Sequence, residues 1–166
     1  MSKTALKKEL ANMSREQLEQ IILDAYDSSK ETKAYFDFFL NPDIKKLREK
    51  MFEIVCKELR RQKWGYCKGR VSVLKKAIKD FAGYKPGAQE VIIFMFNVLM
   101  QLGIAERFYN LSDAQVRYIS TLTAEILTYA NNNQCADYAI ELLNKIIIST
   151  NFREYFRKLV DKVLNQ

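Results

Sequence analysis

Cys67 stands between Lys63 and Lys68 in a polar stretch, where adjacent cations favour a thiolate, so it is the residue placed best for covalent chemistry. An incidental loop thiol accounts for it more simply. Cys56 lies in line with apolar Phe52 and Leu59 at helical spacing and reads as a small core residue. Asp24 with Asp27, and Asp27 with Glu31, recur at helical offsets that put carboxylates on one face, where they could hold a divalent ion or work as an acid and base pair. Solvated helices commonly carry such offsets, and Lys30 and Lys33 are near enough to neutralise them.

The chain has no histidine, which removes the Ser-His and Cys-His couples, the HExxH metal site and the commonest general base at neutral pH. Its three cysteines form no CxxC pair, so no common zinc spacing can be written. Neither a GxxxxGK(S/T) loop nor a GxGxxG string occurs, and the nucleotide sites that depend on them are excluded. The expectation is a protein that is not an enzyme, with no cofactor and no metal.

Charge is the larger asymmetry. From Lys45 to Lys85 there are fourteen Lys and Arg against four acids, a local +10 in a chain whose total is +7. Within this segment Lys57, Arg60, Arg61, Lys63, Trp64, Lys68, Arg70, Lys75 and Lys76 form a candidate nucleic-acid or anion-binding set. The cations would engage phosphates while Trp64, with Tyr66 beside it, stacks on unpaired bases. The same charges also suit a solvated surface, and Arg60 and Arg61 would complement the dipole at a helix C-terminus without any partner.

These residues must be positioned by helices. Apolar residues recur at steps of three and four nearly everywhere, and no stretch alternates as a half-buried strand would. A length of 166 residues, 48% hydrophobic with five Gly and two Pro, suits one helix-rich domain with a proper core. The fold expected is all-α: about seven to eight mostly antiparallel amphipathic helices, arranged as a bundle or a short helical solenoid. Residues 1–166 read as a single helical domain, with an internal hinge at 62–70 where two glycines interrupt the period.

A short first helix carries Leu6 and Leu10, and Ser14 with Gln17 reads as the capping box of a second. The apolar positions Leu18, Ile21, Ile22, Ala25 and Tyr26 then pass through polar 27–30 before resuming at Ala34, Phe38 and Phe39, as one long helix or two. Asn41-Pro42-Asp43 supplies a start signal for a helix from Pro42 to about Arg61. Further helices are expected at Val71 to Phe81, Pro86 to Leu102, Asp113 to Ala130, Gln134 to Ser149 and Phe152 to Leu164. Ser112–Gln115 and Asn151–Glu154 both resemble capping-box starts.

The most apolar run, Val91 to Ala105, would reach about 22 Å as a helix, short of a bilayer core of about 30 Å, so it reads as a core helix and no membrane partner is expected. The charged N-terminal residues do not suit a signal peptide, and the setting expected is cytoplasmic. Tyr35, Phe36, Phe38, Phe39 and Leu40 occupy more than one helix face, an excess of apolar surface suited to contact with another protein or a second copy.

The segments Thr4-Ala5-Leu6-Lys7-Lys8-Glu9-Leu10, Ser14-Arg15-Glu16-Gln17-Leu18 with Ile22-Leu23-Asp24, and Tyr35-Phe36-Asp37-Phe38-Phe39-Leu40-Asn41-Pro42 resemble an uncharacterised family of small bacterial all-helical proteins, a domain of unknown function. Weaker likeness runs through Ala77-Ile78-Lys79-Asp80-Phe81 to Pro86-Gly87-Ala88, covering roughly the first half of the chain. The resemblance implies a bacterial, cytoplasmic helical protein and brings no activity, ligand or catalytic residue. On the residues alone, the reading is a binding or scaffold module acting on an unknown protein or on itself, with nucleic-acid binding through 45–85 as the alternative.

Overall fold

A computed structural model describes residues 2–60, 62 and 67–165. Among them the fold is all-α, with nine helices rather than seven or eight and no strand. The chain divides into two compact units, Met1–Asp43 and Ile44–Gln166.

The first unit holds α1 (Lys3–Leu10), α2 (Arg15–Ser28) and α3 (Lys30–Leu40). The Ser14 capping box is formed: its Oγ accepts from Gln17 N–H, and the Gln17 side chain accepts from Ser14 N–H at 2.9 Å. The polar stretch at 27–30 separates two helices. Ser29 is fully extended at φ −158°, ψ 155°, ends α2, and accepts from Thr32 N–H at 3.0 Å to start α3. Helices α2 and α3 pack against each other as a hairpin.

The second unit holds α4 (Ile44–Leu59), α5 (Val71–Gly83), α6 (Ala88–Phe108), α7 (Asp113–Asn132), α8 (Ala136–Ile148) and α9 (Glu154–Leu164). Helix α6 is its axis, packing against α4, α5, α7 and α8, while α9 closes over α7 and α8. Buried positions such as Ile92, Phe94, Leu99 and Leu102 run all round α6 instead of along one stripe. At its centre Phe81 and Phe94 stack with centroids 4.5 Å apart, and Phe52 meets Phe94 edge-on at 6.4 Å.

Several boundaries depart from the periodic reading, among them the start of α4 at Ile44 instead of Pro42, where Asn41 caps the end of α3; two others are set by packing. Helix α6 runs on to Phe108, past the expected end at Leu102, because Gly103 is an interior residue there. A Cβ on it would lie 2.6 Å from a ring carbon of Phe156 and 2.8 Å from one of Phe152, so the absent side chain is what lets α9 and its leading segment approach. With 21 residues α6 is long and apolar enough to cross a membrane, unlike the shorter run read from the sequence, and here it is the core helix of the unit. At the other boundary Asn151 does not cap a helix. Phe152 is buried against Phe156 at 5.2 Å, and α9 begins only at Glu154.

Candidate functional site

The basic set is distributed over the end of α4, the following connection and the start of α5. Arg61, Lys63 and Trp64 lie outside the described residues. Four of the other six already contact carboxylates: Lys57 with Glu53 at 3.2 Å, Arg70 with Glu58 at 2.8 Å, Lys75 with Glu125 at 3.2 Å and Lys76 with Asp80 at 2.6 Å. Lys75 also lies 5.3 Å from the centroid of the Tyr118 ring. Arg60 and Lys68 are exposed and make no side-chain hydrogen bond or ion pair among the described residues. Among the described cations of the set, four of six therefore stand beside a carboxylate that balances their charge locally.

Around Arg70 it builds something the sequence did not announce. Glu58, buried near the end of α4, accepts a forked pair from the Arg70 guanidinium at 2.8 and 2.9 Å and a third bond from Arg70 N–H at 2.9 Å. Those bonds hold the Glu58 carboxyl below its ordinary value of 4.5. Gly69 N–H donates to the Glu58 backbone carbonyl at 3.1 Å. From the opposite side the Gln115 amide donates to the carbonyls of Gly69 at 3.0 Å and Lys68 at 3.3 Å, while its Oε1 accepts from Ser112 N–H at 2.9 Å to complete the capping box of α7. Gly69 has φ +50°, and a Cβ there would fall 1.8 Å from Gln115 Nε2, so both backbone and neighbour require glycine. The described end of the expected hinge, Cys67–Arg70, is thus tied to α4 and α7; residues 63–66 lie outside the described set.

This network corrects the reading of Cys67. Instead of an exposed loop thiol activated by lysines, it is only 6% exposed, and burial pushes its pKa up, away from the thiolate. Burial also raises Cys56, which is half-buried. Among the described residues no group of three or more His, Cys, Asp or Glu could hold a metal. Asp24 instead accepts from the Gln20 amide at 2.7 Å.

The apolar α2–α3 hairpin makes a different kind of surface. Phe39 and Leu40 are 68% and 70% exposed, while Tyr35, Phe36 and Phe38 are half-buried. Tyr26 and Tyr35 flank the Phe36 ring, with centroids at 6.3 and 5.8 Å. A polar clasp holds the pair: Tyr26 O–H donates to Asp37 at 3.0 Å, and Lys33 lies 5.2 Å from the Tyr26 centroid. Ile21 and Ile22, counted in the inner stripe by their spacing, are exposed at 41% and 50%. Spacing identified the stripe but not whether anything covers it.

The second unit carries two apolar concavities that periodicity could not locate. One, of about 430 Å³, is lined by Phe96, Met100, Ile104, Phe108, Ile146 and Phe152, with Arg107 and Lys145 at its edge. The other, of about 600 Å³, lies where α5, α6 and α7 meet, with Ile78, Val91 and Met95 on one side and Thr128 and Tyr129 on the other.

No curated protein and no solved structure matches the chain. A family model does, over residues 1–166, and the chain accordingly belongs to the family it describes, the family of unknown function DUF6155.

Proposed function

We propose that this protein is a non-enzymatic helical binding module that engages protein partners through the apolar face of its α2–α3 hairpin. One observation carries the reading: three helices with apolar residues make up the first unit, and none of their residues is buried. A unit of about forty residues is at the lower limit at which a chain supplies its own core, and contact with another protein would cover what is left open. The concavity beside Phe108 is a secondary surface of the same kind.

The test is a photo-crosslinking amino acid placed at position 40 of the full chain, with position 8 as the exposed polar control on α1. Protein adducts from position 40 that are absent from position 8 are the expected result. No adduct at position 40, or equal yields at both, overturns the reading.

A second reading, nucleic-acid binding, is favoured by the charge division. Residues 1–43 carry six Lys and Arg against eight acids, a net −2, which leaves +9 on residues 44–166. Trp64, the single tryptophan, reports on it: salt-sensitive quenching by oligonucleotides, lost when Arg60, Arg61, Lys63 and Lys68 become glutamate, is the supporting outcome. Arg70 is left out of that variant because its reversal would set two carboxylates against each other at Glu58.

A further inference from the structure

We infer that the concavity beside Phe108 holds a single-chain acyl carboxylate, its apolar chain inside and its anionic end at the Arg107 and Lys145 edge. The inference goes beyond the protein-binding reading: it gives the interior of that concavity a small-molecule occupant, whatever meets the exposed rim, and it does not depend on the α2–α3 hairpin.

The cavity is framed by bonds that hold it open. Arg107 Nη1 donates to the Asn151 carbonyl at 2.8 Å, and Arg153 donates to the Arg107 carbonyl at 2.9 Å, so the end of α6 is pinned twice to the segment leading into α9. Ser149 Oγ accepts from Asn151 N–H at 3.2 Å, and Arg157 donates to the Ile147 carbonyl at 3.4 Å, which fixes the end of α8 to the same frame. Phe152, packed over Gly103, supplies a buried wall. The resulting volume of about 430 Å³ lies in the range of about 300–1,000 Å³ for small-molecule sites, with room for one acyl chain and not for the pair carried by a phospholipid.

Charge gives the ligand its second end. Among the described residues the lining contains two cations and no acid. Arg107 has donors besides the one given to Asn151. Lys145 is held by an exposed pair with Glu141 at 2.8 Å, weak enough for a carboxylate ligand to share it. Ser149 and Asn151 add polar groups beside these cations. An apolar interior edged by cations selects a molecule that is apolar along its length and anionic at its end, whereas a neutral hydrocarbon would leave the cations unanswered.

The experiment is calorimetric titration of the full chain with hexanoate, octanoate and decanoate below their micellar concentrations, and with octanol as the uncharged counterpart. Affinity should rise about fourfold per methylene, and octanoate should bind at least about threefold more tightly than octanol. Two variants locate the site. Ile104→Glu sets a carboxylate in a wall position that is 40% exposed and should weaken decanoate at least about tenfold. Lys145→Gln should weaken octanoate about two- to fivefold and leave octanol unchanged. Phe39→Ser, at an exposed apolar residue of the first unit, is the control and should stay within about twofold. Circular dichroism checks that each variant keeps its helices. No binding of any chain length overturns the inference, as does equal affinity for octanoate and octanol, or a loss in Phe39→Ser that Ile104→Glu does not share. Binding to vesicles of anionic phospholipid without binding of free decanoate also overturns it, in favour of a membrane surface.

Discussion

The two units of this chain spend similar sequence patterns on opposite ends. In residues 44–166, helical spacing of Leu, Ile and Phe closes a core in which Phe81, Phe94, Phe156 and a set of leucines and isoleucines are fully buried. In residues 1–43, the same spacing gives helices with sound caps and no buried residue. The difference lies in what surrounds the stripe. Helix α6 has neighbours on four sides, whereas α2 and α3 pack mainly on each other. An amphipathic pattern states that a helix has an apolar face; the count of partners decides whether that face becomes core or surface.

The contrast would be most severely tested by truncating one aromatic in each unit. Phe81→Ala should cost about 3–5 kcal/mol, because it empties space inside a ring stack that cannot collapse, whereas Phe36→Ala should cost about 1 kcal/mol; equal losses in chemical denaturation would erase the distinction. Next in size are the glycines of the second unit. Gly69→Ala and Gly103→Ala should each destabilise by about 1–3 kcal/mol, since the new methyl meets Gln115 in one and the rings of Phe152 and Phe156 in the other. A Gly103→Ala variant of unchanged or raised midpoint would mean that helix propensity outweighs the contact.

The Glu58 network predicts a pH dependence of fixed sign. Its carboxyl is held below 4.5 in the folded protein, so its contribution is fully present above that value and is lost as pH falls through the lower folded one. Glu58→Gln should remove that part of the acid sensitivity and cost on the order of 1 kcal/mol near neutrality, a modest sum because Arg70 is 62% exposed on its side. Urea midpoints between pH 3 and 7 would read both effects, and parallel curves for the two proteins would refute the assignment. The smallest effect belongs to the first unit: Ser14→Ala should raise amide exchange in the first turn of α2 by an amount corresponding to about 1 kcal/mol, with no change in the global midpoint of residues 44–166.

Much of the architecture was legible because it is local. Ser14 and Ser112 announced their capping boxes, and the start of α5 at Val71 followed from the return of periodicity after two glycines. What escaped was set by contacts between residues far apart in the chain. Nothing near Gly103 indicates that Phe152 and Phe156 will pack over it, so the end of α6 was placed too early. Cys67 read as an incidental loop thiol, with its lysine neighbours offering activation as the lesser alternative, whereas Gln115 and Glu58, 48 residues ahead and nine behind, put it in a buried setting. The basic candidates were found by composition, but composition could not reveal that Glu53, Glu58, Asp80 and Glu125 would stand beside them.

The Gln115 amide does two jobs with one group: its oxygen holds the first turn of α7, and its nitrogen holds the carbonyls of Lys68 and Gly69. Neither bond can be broken by rotating the side chain without breaking the other. The start of α7 and the Lys68–Gly69 end of the connection are therefore coupled through one amide, so that its release loosens both, although nearly fifty residues separate them along the chain.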